Sequence, residues 1–278
     1  MGTSKGYGGP ATGLVPSWID DPVPGVGPGP VPAIPGVPAA PVPGAPVQPD
    51  TSVAGGLGGA RGSFSRFART GSRSSLGSAL ASYVRSGTGG ARRAAQRMGA
   101  SRAAGARLLG VVRDVQRLGA VETLRQLNLP GLTGQPAADV FLAILEFICP
   151  PGGAVDEAIA RQAMLETIGD LAEAGIGDFD TMTADQMQEF FLDFVARSIE
   201  GRVMADLGAR GVTLPDDVAA VERAQQQLHD FVTGCTRGEL SGRLDGVESL
   251  GDRDVERVVN EIYEAAFELV AAAGEASE

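Results

Sequence analysis

The stretch TADQMQEFFLDFVARSI, residues 183–199, places Met187, Phe190, Phe191, Phe194, Val195 and Ile199 at the three-and-four spacing that lines one side of an α-helix. Thr183 with Gln186 three residues on is a capping-box start, in which each side chain satisfies the other residue's backbone N–H. Working outward, the same period recurs. Val155 restarts a helix carrying Ile159, Met164, Leu165, Ile168 and Leu171, which stops near Gly175–Ile176–Gly177. Before it, Val140, Phe141, Ile144, Leu145 and Ile148 line a helix ended by the breaker cluster Cys149–Pro150–Pro151–Gly152–Gly153. Downstream, Pro215–Asp216–Asp217 opens a helix through Val218, Val221 and Leu228 to Phe231, and a last one runs from Asp252 to about Ala273. No strand pair and no repeat of fixed period interrupts this pattern. The expectation is an all-α domain of about five to seven helices, acids crowding its solvent faces, preceded by a long disordered Pro/Gly-rich N-terminal arm.

The chain divides by composition into three parts. Residues 1–60 hold Pro–Val–Pro, Gly–Pro–Gly and Ile–Pro–Gly steps, in which Pro lacks an amide donor and Gly costs the most entropy to order. No packed core is expected there; residues 21–50 read as an extended polyproline-like spacer and Gly55–Gly59 as linker. The spacer carries a small apolar cluster around Pro16, with Trp18 and Ile19 as candidate docking residues. Residues 61–125 are rich in Gly, Ser, Ala and Arg, with weak helices expected over 74–84 and from Gly90 onward. There Leu108, Leu109, Val112, Val115 and Leu118 repeat at core-facing intervals. Residues 126–278 form the acidic helical domain.

Net charge is −11, unevenly spread. Residues 1–60 have one Lys against three Asp, residues 61–125 thirteen Arg against two acids, and residues 126–278 nine Arg against twenty-nine acids. Such segregation means either an interaction surface or a charge match within the molecule. The expected location is cytoplasmic, since there is no signal-peptide pattern and no apolar run of membrane-spanning length. Cys149 and Cys235, far apart and without metal-type spacing, read as buried free thiols.

Catalytic chemistry finds few footholds. The single histidine, His229, has no Ser–His–Asp order around it and reads as structural. No phosphate-cradling GxxxxGK[ST] occurs, and paired acids such as Asp216–Asp217 sit where helix N-termini attract them. No enzyme, cofactor or metal site is expected. Arg92, Arg93 and Arg97 could form a polyanion contact, with Phe64, Phe67 and Tyr83 as the only stacking candidates; nucleic acid is the weaker alternative to protein partners. At the other end, Met1–Gly2 is a context from which the initiator methionine is removed, leaving on Gly2 an unhindered α-amine, a group type that ionises at about 7.7–8.0. Gly6 stands where N-myristoylation wants Ser or Thr, so a lipid anchor is disfavoured.

The opening MGTSKGYGGP with LVPSWIDDP, and later GTGGARRAAQRMGASRAAGARL and PPGGAVDEAIARQAMLETIGDL, resemble the QatB family, the B component of four-gene bacterial Qat anti-phage systems. The resemblance covers the head, the Arg-rich segment and the middle helices. It implies three partners: an ATPase, a QueC-like enzyme of 7-deazaguanine chemistry and a TatD-like nuclease. It further implies that Gly2 is the acceptor amine for 7-deazaguanine conjugation, with Thr3, Ser4, Gly6, Tyr7, Gly8 and Gly9 recognised by the QueC-like enzyme. The alternatives are an unmodified helical scaffold for the defence ATPase, or a nucleic-acid-binding module using the Arg-rich segment.

Overall fold

In the computed structural model, which describes residues 56–208 and 218–277, the helix opened by Thr183 runs from Ala184 to Gly208. Its expected capping box is present. The Gln186 amide N–H donates to Thr183 Oγ1 at 3.2 Å, and the Thr183 N–H donates to Gln186 Oε1 at 2.8 Å. The arm through residue 55 and the expected helix start at Pro215–Asp217 lie outside the described residues.

Eleven α-helices and no strand occur among the described residues. In chain order they are α1 (Gly58–Thr70), α2 (Arg73–Ser82), α3 (Ala91–Gln96), α4 (Gly99–Leu118), α5 (Ala120–Gln126) and α6 (Ala137–Ala143). The remainder are α7 (Leu145–Ile148), α8 (Val155–Glu173), α9 (Ala184–Gly208), α10 (Val218–Ser241) and α11 (Asp252–Ala276). The all-α reading holds, and the count exceeds five to seven because short helices flank the long ones. The helix expected over Val140–Ile148 is split at Ile144, whose ψ of 5° interrupts it. Val140, Phe141, Ile144, Leu145 and Ile148 are nonetheless all buried, so the apolar pattern outlives the break.

The main departure lies at the front. Gly58 and Gly59, expected in a linker, form the first turn of α1, which buries Ala60, Phe64, Phe67 and Ala68. With Leu57, also buried, these sit at helical intervals on one side. The stripe compensates the glycines' poor propensity, which costs up to about 1 kcal/mol each relative to Ala. Gly71 ends the helix at φ 66°, its N–H donating to Phe67 O at 2.8 Å. Ser72 then caps α2, and a five-residue π-turn, Tyr83–Gly87, carries the chain toward α3.

One hydrophobic core runs from Leu57 to Ala271. Its centre is the crossing of α4, α9 and α11, where a Cβ on Gly105 would stand 3.3 Å from Val259 Cγ1 and 3.7 Å from Phe194. Beside it, Tyr263 and Ser198, both fully buried, share a 2.8 Å hydrogen bond between hydroxyls, so neither polar atom is orphaned. Helices α2 and α11 meet through Gly77 and Gly274: a Cβ on either would come within 2.8 Å of the other's carbonyl oxygen. Phe141 stacks on Phe190 at 4.0 Å and meets Phe179 edge-on at 5.4 Å. Leu118 and Leu165, expected inside, are each 38% exposed at the edges of α4 and α8.

Candidate functional site

Three arginines of the Arg-rich segment, Arg85, Arg97 and Arg113, pair with carboxylates of the acidic helices. Arg85 donates to Glu268 and Glu275 of α11, each at 2.9 Å. Arg113, buried, reaches Asp252 at 2.7 Å and Asp114 at 2.9 Å. Arg97, expected on a polyanion face, instead turns to Asp206 at the end of α9, 3.4 Å away. Asp206 also accepts from Tyr83 at 2.9 Å and Arg202 at 3.2 Å, while its carbonyl accepts from Arg61. Burial and the adjoining Asp206 carboxylate raise the Tyr83 phenol far above its ordinary range, so it remains a hydrogen-bond donor. Within the described residues, part of the segregated charge is therefore an intramolecular match.

Arg92 and Arg93 are exposed on α3. The stacking candidates Phe64, Phe67 and Tyr83 are all buried, because the packing of α1 and the π-turn claims them first. Gly2, Thr3, Ser4, Gly6, Tyr7, Gly8, Gly9, Trp18 and Ile19 lie outside the described residues.

Two concave sites remain. The larger, about 420 Å³, lies between α4 and α11. Its α4 side presents Gly99, Ala103, Ala106 and Gly110 flanked by Arg102, Arg107 and Arg113; its α11 side presents Asp252, Val255, Glu256 and Asn260. Straps cross it at two points: Arg102 Nη1 donates to Asn260 Oδ1 and Arg113 Nη1 to Asp252 Oδ1, each at 2.7 Å. Arg107 is held by the Ile148 carbonyl at 3.1 Å. Arg102 and Arg107 belong to the Arg-rich segment of the sequence, and their placement in a cleft depends on the pairing of two helices far apart in the chain.

The second site, about 330 Å³, lies between α9 and α10 and contains His229. His229 Nδ1 and Glu200 Oε1 are 2.8 Å apart, and Asp193 Oδ1 is 3.8 Å from Nε2. The Glu200 hydrogen bond lifts the imidazolium above its ordinary 6.5 against the opposing effect of burial. Burial raises Glu200 in turn, outweighing the attraction of His229 and Arg197. Arg197 is clamped by Asp193, Glu166 and Asp170. The arrangement is an ion-pair network at a helix junction, as the structural reading of His229 expects.

Cys149 and Cys235 are free and half-buried or more, and burial pushes each thiol up to about 11, so both are protonated at neutral pH. No group of three or more His, Cys, Asp or Glu suited to a metal ion occurs among the described residues. Nor is any described helix long and apolar enough to cross a membrane.

No curated protein and no solved structure matches the chain. A family model does: the Qat anti-phage system associated protein QatB matches residues 89–270, from the loop before α3 almost to the end of α11. That span includes both clefts and the helices whose charges interlock, and the chain belongs to the QatB family.

Proposed function

We propose that this Qat-system protein is a non-enzymatic component: a protein substrate and binding partner of a QueC-like enzyme, with the Gly2 α-amine as acceptor for a 7-deazaguanine group. The match of residues 89–270 to the QatB family carries this reading. In the reaction, a deazaguanine carboxylate oxygen attacks the α-phosphorus of ATP on the enzyme, the α–β phosphoanhydride bond breaks, and the acyl adenylate forms with release of pyrophosphate. The neutral Gly2 amine attacks the carbonyl carbon, the C–N bond forms, the C–O bond to AMP breaks, and the amine proton passes to solvent or a base. Thr3, Ser4, Gly6, Tyr7, Gly8 and Gly9 are small or able to stack, which suits a narrow channel. The helical body docks, and the ATPase and the TatD-like nuclease are the further partners.

The test is the mass of the N-terminal peptide after expression with and without the QueC-like gene. An adduct on Gly2 that depends on that gene is the expected result. A bare Gly2 in both samples would replace conjugation with the scaffold reading, which the two open clefts on the helical body also favour. The nucleic-acid reading is the weakest, because Arg97 and Arg113 are committed to Asp206 and Asp252 and the aromatic candidates are inside.

A further inference from the structure

In the α4–α11 cleft two arginines stand without a carboxylate partner among the described residues. Arg85, Arg97, Arg113, Arg197 and Arg202 each have a carboxylate partner, whereas Arg102 and Arg107 have none among the described residues. Arg102 Nε is buried without a hydrogen-bond acceptor, and its one bond is to a neutral amide, Asn260. Other arginines without a carboxylate partner, such as Arg92 and Arg93, stand on an exposed helix face, whereas these two line a cleft. A buried donor left without an acceptor carries a desolvation cost that an arriving acceptor would recover.

The cleft also specifies what kind of anion fits. Arg102 and Arg107, five residues apart, are separated by about 7.5 Å along α4 and about 140° around it, so two separate carboxylates rather than one would meet them. The floor between them is made of glycine and alanine, so an incoming backbone can approach α4 closely. The opposite wall bears Asp252 and Glu256, and Glu256 has no partner among the described residues. A continuous polyanion would meet repulsion there, while a polypeptide can place acids toward α4 and a neutral or basic residue toward α11.

We infer that the α4–α11 cleft is a docking site for an acidic segment of a protein partner, whose two carboxylates engage Arg102 and Arg107. The inference rests on the reading of the chain as a binding component, but not on modification of Gly2.

The full chain carrying the photocrosslinker p-benzoylphenylalanine at Ala103, co-expressed with the other Qat components, tests it. The expected product is a covalent link to one of those proteins, with the crosslinked peptide, sequenced by mass spectrometry, holding two acids. Arg102→Ala with Arg107→Ala should reduce the product at least tenfold, and Arg102→Lys with Arg107→Lys should restore most of it. Circular dichroism confirms that both double variants keep the fold. A link to nucleic acid, a crosslinked peptide without acids, no link at all, or indifference to the alanine pair would each overturn the inference. The mass of Gly2, read in the same cells, separates the outcomes: an intact adduct with no crosslink removes the cleft alone, and a crosslink without an adduct removes conjugation alone.

Discussion

At His229, a proton is shared out by position. The Glu200 hydrogen bond holds it more tightly in the fold than in the open chain, and Glu200 itself keeps its proton longer because it is buried. Both groups bind protons more strongly in the native state, so both contribute stability that fades as pH rises. For His229 that contribution is complete below 6.5 and is lost as pH climbs through the higher folded value. The urea midpoint should therefore fall between pH 6 and pH 9, and His229→Gln should flatten the decline. A slope unchanged by the substitution would overturn the assignment of the pH dependence to His229. The sequence reads His229 as structural, since one histidine without a nucleophile offers little else. The identity of its partners was not legible: Glu200 and Asp193 lie on a different helix, and only the α9–α10 packing brings them within reach.

At the scale of elements, legibility followed side-chain size. Helices α8, α9 and α11 carry bulky apolar residues at regular intervals and were readable nearly to their ends. Helix α1 was not, because four glycines flank and interrupt its stripe and composition alone resembles a linker. The signal was present in the Leu57–Ala60–Phe64–Phe67 spacing. Since α1 depends on packing more than on propensity, Phe64→Ala should cost about 3–5 kcal/mol. Hydrogen exchange over residues 58–70 should then accelerate well before that of α9. The glycine contact between α2 and α11 is more exacting. Gly274→Leu places a side chain where even a Cβ would stand 2.5 Å from the Gly77 carbonyl, so the helices must separate. A loss of several kcal/mol is expected, far above the cost of lower flexibility, with the melting temperature as readout.

For the whole molecule, charge and core draw different boundaries. Net charge changes sign near residue 125, but the apolar core does not: α3 and α4 pack on α11, and α4 on α9. Composition displays the first boundary openly, whereas the second emerges only once distant helices have met. A fragment beginning at residue 126 would expose the faces of α9 and α11 that Ala104, Leu108 and Val112 cover. It should lack cooperative melting and bind hydrophobic dyes, while a fragment covering residues 56–278 should melt in one transition. A cooperative, dye-free 126–278 fragment would show that the front helices are accessory. The candidate sites follow the same logic, for each combines residues from elements that no local pattern joins.

The pairing of Arg85 with Glu268 and Glu275 spans up to 190 residues of sequence. On a ribosome moving at about 5–20 residues per second, the arginine is made roughly 10–40 s before the last acid that will hold it. Early in that interval the thirteen-arginine segment, with only two acids of its own, emerges beside ribosomal RNA before the acidic helices are made. The finished molecule is acidic, yet its birth is basic, and the order of synthesis leaves its neutralising half for last.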